Sequence, residues 1–137
     1  MKLSYTPILL LLFMAPAICQ AEPGDKQAGP IDKIAELIKQ GNVHELAKYF
    51  AANVDMAVLD NTNVYSKTQS ELILERFFKE NKPLSVKIFH RVSSNANYNF
   101  AVLILNTDKG KYRVSFTLKE VAKQMVIIDL RIETEKT

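Results

Sequence analysis

Apolar residues recur at helical spacing over residues 31–38. Just after Pro30, Ile34 follows Ile31 by three residues, and Leu37 and Ile38 follow Ile34 by three and four. This spacing predicts an amphipathic helix with proline in its first turn. One face of that helix is therefore expected to be buried.

Two capping patterns predict where further helices begin. Gly41 suits the left-handed end of the first helix, and Asn42 with Glu45 three residues on predicts the start of a second. The segment Thr68-Gln-Ser-Glu71 has the form of a capping box and predicts the longest helix, which the segment Asn81-Lys-Pro83 ends. Between these helices the sequence predicts a short strand at 54–59, a loop at 60–63 and a strand fragment at 64–65.

Beyond Pro83 the period of apolar residues changes from helical to two. Turn residues at 93–97, 106–110 and 120–124 separate four segments, three of them alternating, which predicts a four-stranded antiparallel meander with one apolar face. Helices that precede an antiparallel sheet indicate an α+β domain, with the helices packed on the apolar face. A strongly twisted sheet around a helix would leave a cone-shaped cavity at its open end.

The strand predicted at 98–105 is apolar on both sides, so both faces of the sheet should be covered around it. The helices cover one face only. We therefore expect Leu103 and Leu105, or their neighbours of opposite parity, Val102 and Ile104, to contribute to a homodimer interface across the sheet; the alternative is a modest exposed apolar patch.

The N-terminal residues have the three parts of a secretory signal peptide. Lys2 is followed by an apolar run at 7–14 and by small residues at 15–21, which predicts export, most simply to the periplasm, with cleavage after residue 21. The run is shorter than the about 20 residues that cross a bilayer. Ile18 before Cys19 is a poor match to a lipidation signal.

The remaining chain is organised simply, as a flexible linker at 22–29 and a single domain at 30–137. With 137 residues, 47% of them hydrophobic, and a net charge of +3, the composition fits one globular domain. One cysteine excludes an intramolecular disulfide, and the small, dispersed charge excess argues against a nucleic-acid partner. Once the signal is removed, no transmembrane segment is predicted.

Residues for cofactor or metal chemistry are sparse. One Cys and two His are too few for a zinc site, and there is no glycine-rich phosphate loop or nucleophile elbow. The sequence therefore predicts no metal and no cofactor.

Two residues are candidates for a general base. His90 alternates in register with Val86 and Ile88, so we expect it to point to the apolar side, as a base or as a hydrogen-bond donor to a ligand. The alternative is a structural histidine bonded to backbone. Asp55 lies in the first short strand, and its neighbours leave its facing undecided. Asp129, in contrast, shares a polar side with Arg131, as expected for solvated ion pairs.

Aromatic residues supply the candidates for ligand binding, although such residues are more often core with a hydrated hydroxyl. The ligand-binding candidates are Tyr49, Tyr65, Phe77, His90 and Tyr112.

Several short segments resemble a family of small exported Bacteroidetes proteins of unknown function, within the nuclear transport factor 2-like (cystatin-like) superfamily. The resemblance covers about residues 31–134 and implies a cone-shaped fold, with N-terminal helices on a curved antiparallel sheet. The segments are Ala47-Lys-Tyr-Phe50, Tyr65-Ser66, Phe77-Phe78 with Asn81-Lys-Pro83, Lys111-Tyr-Arg113 and Leu130-Arg-Ile-Glu133.

The resemblance implies two kinds of function, because the superfamily includes isomerases, cyclases and dehydratases as well as members that only bind or dimerise. The first is an exported, non-catalytic module that holds a small apolar ligand or a protein partner at the cone. The second is a small cofactor-free enzyme that uses Asp55 or His90 as a base and a tyrosine as a donor. The absence of a convincing acid–base set favours the first.

Overall fold

A computed structural model describes residues 29–95 and 97–136 of the chain. The predicted signal peptide, Cys19 and the linker up to residue 28 lie outside the described residues. The elements in chain order are α1 (Pro30–Gln40), α2 (Val43–Ala47), β1 (Phe50–Val58), β2 (Asn61–Ser66), α3 (Lys67–Glu80), β3 (Pro83–Asn95), β4 (Tyr98–Thr107), β5 (Gly110–Val121) and β6 (Gln124–Thr134). Among these helices, none has the length and hydropathy that crossing a membrane requires.

The first two helices begin and end where the sequence predicts. Gly41 has a left-handed backbone with φ of 66° and closes α1, because glycine adopts this conformation without steric cost. The side chain of Asn42 accepts a hydrogen bond from the backbone N–H of Glu45 at 3.3 Å and so caps α2. The predicted end of the first helix at Gly41 and the predicted start of the second at Asn42 are confirmed.

Helix α3 begins two residues earlier than predicted. Ser66 Oγ accepts the backbone N–H of Gln69 at 3.2 Å, and the Gln69 side chain accepts the backbone N–H of Ser66 at 3.1 Å. The capping box is therefore Ser66–Gln69, and the predicted box at 68–71 is wrong. The reason is that β2 runs directly into the helix, so its last residue serves as the cap.

The meander of β3 to β6 is confirmed, and β1 and β2 extend it to six strands in the order β2-β1-β6-β5-β4-β3. The added β1 lies parallel to β6 and antiparallel to β2, so the curved sheet is mixed. The predicted loop at 60–63 is wrong, because β2 begins at Asn61 and pairs with β1 from its first residue.

The helices cover one face of the sheet, which we call the core face; the opposite side is the outer face. A single cluster joins the apolar sides of the three helices to the core face. Leu103 and Leu105 are fully buried in this cluster, whereas Val102 and Ile104 lie half-buried on the outer face. Leu103 and Leu105 are thus unable to form a dimer interface, and only the alternative pair remains a candidate.

Strand β3 is an edge of the sheet and is interrupted three times. The register with β4 shifts between Pro83 and Ser85, between Ile88 and His90, and between Ser93 and Asn95. Each shift adds one residue to β3 relative to its partner, as in a β-bulge, and a bulge changes which side the following residues face.

Candidate functional site

His90 does not point to the core face, so that prediction is wrong. Ile88 pairs with the buried Leu103, but after the bulge at Phe89 the partner of His90 is Val102 of the outer face. His90 is accordingly exposed. The next residue, Arg91, takes the core side instead and binds Asp32 of α1 through two contacts of 2.6 and 3.0 Å.

Asp55 also lies on the outer face, where it is exposed and directly opposite Asp129 of β6. Arg131 Nε lies 3.5 Å from Asp129 Oδ1. Partial burial raises the pKa of Asp129; the charge of Arg131 opposes this shift, and the charge of Asp55 adds to it. The result is a small group of charges on an open surface rather than a carboxylate enclosed in a pocket. The expected ion pair of Asp129 with Arg131 is present.

Beneath α3, the space between the helix and the sheet is filled with side chains. Phe77 packs edge-on against Phe78 and Tyr112, with ring centroids 5.4 and 5.1 Å apart. The hydroxyl of Tyr112 donates to Asn81 Oδ1 at 2.7 Å, and Phe116 is fully buried beneath the helices. The Phe77 ring is therefore packed against other rings, and the Tyr112 hydroxyl is bonded to Asn81 rather than facing an open cavity beneath α3.

Two of the ligand-binding candidates share an open depression, which we call the α3 cleft. It lies between α3 and the β1–β2 hairpin and has a volume of about 400 Å³. Tyr65 and Phe77 both line it, so the structure brings these two candidates together. The α3 cleft is formed by Val58, Leu59, Asn61, Tyr65, Ile73, Arg76, Phe77 and Glu80.

Tyr49 lies apart from these residues, in a groove of about 710 Å³ beside α1. The half-buried Leu37, Val86 and Ile88 give this groove apolar walls, and several charged side chains line it as well. The five ligand-binding candidates are therefore distributed over the α3 cleft, the interior, this groove and the outer face. Their roles in binding stay predictions.

The outer face carries an apolar area, the outer patch, defined by Val92, Phe100, Val102 and Ile104. Val92 pairs with Phe100 across β3 and β4, and these two side chains are exposed by 39% and 36%. Phe89, in the bulge between Ile88 and His90, is exposed by 63%. Sequence reasoning did not select Phe89, Val92 or Phe100 for the interface, because strict alternation placed Val92 on the core side.

Metal ligands do not converge anywhere in the described ranges, 29–95 and 97–136: no three His, Cys, Asp or Glu side chains lie close enough to hold an ion.

Comparisons with known proteins agree with this architecture. The family model described as "Domain of unknown function (DUF4783)" matches residues 31–133. A DUF4783 family protein from Bacteroides uniformis is 26% identical with a TM-score of 0.75, the match covering 80% of this chain and 100% of that one. One from Bacteroides ovatus is 25% identical with a TM-score of 0.71, over 76% and 94% of the two chains.

A more distant similarity concerns the fold alone. A domain of unknown function with a cystatin-like fold from Nostoc punctiforme is 9% identical with a TM-score of 0.62, over 76% of this chain and 72% of that one. No curated protein matches the chain.

Proposed function

This chain belongs to the family described as "Domain of unknown function (DUF4783)", and we propose that it is an exported, non-catalytic interaction module that self-associates through its outer patch. The membership confirms the resemblance indicated by the short sequence segments. The observation that carries the proposal is the placement of apolar side chains: those beneath α3 pack into one buried cluster, while Val92 and Phe100 are exposed on the outer face.

The positions of the acid–base candidates support a non-catalytic role. A general base that acts in an enclosed site needs a pocket that excludes water and holds a substrate. Asp55 and His90 are both exposed on the outer face. Their strands, β1 and β3, are separated by three other strands of the sheet. Neither residue lines the α3 cleft or the groove beside α1. The alternative, an isomerase-like or dehydratase-like enzyme, gains no support from this geometry.

The chemistry of the outer patch favours a second copy of the chain as the partner. Val102 lies at its centre, between Phe100 and Ile104 of β4, and its register partners on the two neighbouring strands are the polar His90 and Ser115. An apolar centre with a polar rim is typical of protein interfaces. A two-fold axis over β4 would place the patch of one copy on the same patch of the other. The apolar surface of both copies would then be buried without any additional partner.

Substituting glutamate for Val102 tests the interface. Val102→Glu would bury a charge in the apolar centre of the dimer, so its dissociation constant should rise by a hundredfold or more. Val64→Glu is the matched control, because Val64 is 62% exposed on the outer face of β2 and lies outside the patch. Sedimentation equilibrium of the wild type and both variants measures the dissociation constants.

The wild type is expected to be a dimer that Val64→Glu leaves intact and Val102→Glu converts to monomer. A wild type that stays monomeric at about millimolar concentration would contradict the proposal, as would equal weakening by both variants. A far-ultraviolet circular dichroism spectrum of each variant establishes that the fold is retained.

Export is part of the proposal and rests on the pattern of residues 1–21. N-terminal sequencing of the protein recovered from the periplasm should read Glu22 as the first residue. A lipid-modified Cys19, or an intact Met1 in the cytoplasm, would contradict it.

A further inference from the structure

The α3 cleft combines an apolar floor with a single cation at its rim. Val58 and Phe77 are buried, with only 8% and 4% of each residue exposed, and Ile73 is half-buried. Arg76 lines the same cleft and is exposed. A volume of about 400 Å³ lies within the range of small-molecule sites.

Arg76 is free of carboxylate partners in the part of the chain that the structure describes. The ion pairs there involve Arg91, Arg113 and Arg131 among the arginines, but not Arg76. A guanidinium group presents a planar set of donors that matches a carboxylate with two parallel hydrogen bonds. At the edge of apolar surface, such a group is suited to the head of an amphipathic acid.

The cleft has one further polar group that is available to a ligand. The hydroxyl of Tyr65 makes no hydrogen bond within residues 29–95 and 97–136, in contrast to that of Tyr112. Leu59 is 45% exposed at the cleft; its positive φ of 55° belongs to the two-residue turn that joins β1 and β2.

We infer that the α3 cleft binds a small amphipathic monocarboxylate, with its apolar body on Ile73 and Phe77 and its carboxylate on Arg76. Glu80 lies one turn beyond Arg76 and also lines the cleft, so a second negative charge on the ligand is disfavoured. This selects a monocarboxylate over a dianion such as a phosphate monoester. The inference does not rest on self-association, because the cleft and the outer patch share no residue.

A titration with octanoate, followed by ¹H–¹⁵N NMR of the exported protein, tests the site. Binding should saturate below about 1 mM, as expected for a ligand of this size, and the amide shifts should centre on Leu59, Ile73 and Arg76. The neutral analogue 1-octanol should bind at least about tenfold more weakly, because it lacks the charge-assisted hydrogen bonds.

Arg76→Gln removes the charge while keeping a polar side chain, and it should weaken octanoate binding about tenfold or more. Lys79→Gln is the matched control: Lys79 is an exposed cation on the same helix that does not line the cleft, and its loss should leave the affinity unchanged. The inference is overturned by absence of saturation below 1 mM, by shifts centred on another surface, or by equal affinity in Arg76→Gln and the wild type.

The Val102→Glu variant separates this inference from the proposed function. Octanoate should bind that variant with wild-type affinity, whatever its oligomeric state. A loss of octanoate binding in Val102→Glu that retains its fold would contradict an independent site.

Discussion

At the scale of single residues, two buried polar side chains, one in α3 and one just after it, differ in whether they are hydrogen-bonded. Asn81 is 7% exposed; its amide nitrogen donates to the Phe77 carbonyl at 3.0 Å and its oxygen accepts the Tyr112 hydroxyl. Ser70 is fully buried, and its hydroxyl has no hydrogen-bond partner. Burying a hydroxyl without a partner costs free energy, whereas the bonds of Asn81 offset that cost.

Ser70→Ala should therefore leave the free energy of unfolding unchanged or raise it by about 1 kcal/mol, since it removes an unpaired polar group and alanine favours the helix interior. Urea denaturation measures the change. Tyr112→Phe is the contrast, because it leaves the Asn81 oxygen without its donor and should cost about 1–2 kcal/mol. A larger loss in Ser70→Ala than in Tyr112→Phe would show that the Ser70 hydroxyl is bonded.

Asp129 should make stability depend on pH in a direction opposite to that of most carboxylates. Because burial raises the pKa of Asp129 in the folded protein, the folded state holds this proton more tightly than the unfolded state does. The contribution is fully present below the unfolded pKa and is lost as pH rises through the folded pKa. Asp129→Asn should consequently gain stability relative to the wild type between acidic and neutral pH.

Urea denaturation at a series of pH values from 3 to 7 checks this prediction. Asp60→Asn is the control, because Asp60 is an exposed carboxylate in the turn between β1 and β2 and should show no comparable relative gain. A difference between Asp129→Asn and the wild type that shrinks as pH rises would count against the prediction.

At the scale of secondary-structure elements, most of the fold follows from local pattern. The helix ends at Gly41 and Asn42 and the alternating strands after Pro83 are local signals, and each is read from a few neighbouring residues. The bulge at Phe89 is different, because it depends on the register with β4 rather than on the sequence of β3 itself. It reverses the faces of His90 and Arg91, and strict alternation has no means of locating it.

The start of α3 provides a direct test of its cap. Ser66→Ala removes the hydrogen bond to the backbone of Gln69 and should lower the free energy of unfolding by about 1 kcal/mol. Thr68→Ala, at the cap position that the sequence suggested, should change it by less than about 0.5 kcal/mol, because Thr68 is exposed and lies within the first turn. Thermal or urea unfolding distinguishes the two; equal losses would argue against the observed cap.

At the scale of the whole molecule, the last strand holds the two parts of the sheet together. Strand β6 lies between β1 and β5 and pairs with both, so residues from the beginning and end of the domain meet at its centre. The sequence pattern predicts the four strands of the meander but not the pairing of β1 with β6, because that pairing is made over a long separation in sequence. Tyr65 and Phe77 share the α3 cleft because α3 packs against the β1–β2 hairpin. Local pattern does not predict this tertiary contact, and Arg76 carried no signal in the sequence.

Removal of residues 124–137 should therefore abolish folding rather than merely shorten the sheet. This deletion takes away the buried Ile127, Leu130 and Ile132 and leaves β1 without its neighbour on the β5 side. A truncated chain that lacks only residues 136–137 is the control and should remain folded. Circular dichroism and NMR dispersion measure the outcome; a cooperative unfolding transition in the longer deletion would contradict the central role of β6.

The three bulges of β3 bear on the risk of aggregation at a free strand edge. Their spacing leaves regular runs of only four residues, Ser85–Ile88 and His90–Ser93. Amyloid-forming segments are about six or seven residues long and must lie flat to stack. Strand β3, the longest strand of the described residues, has no regular run of that length. The bulges that change the faces of His90 and Arg91 therefore also prevent this edge from serving as a continuous template for fibril growth.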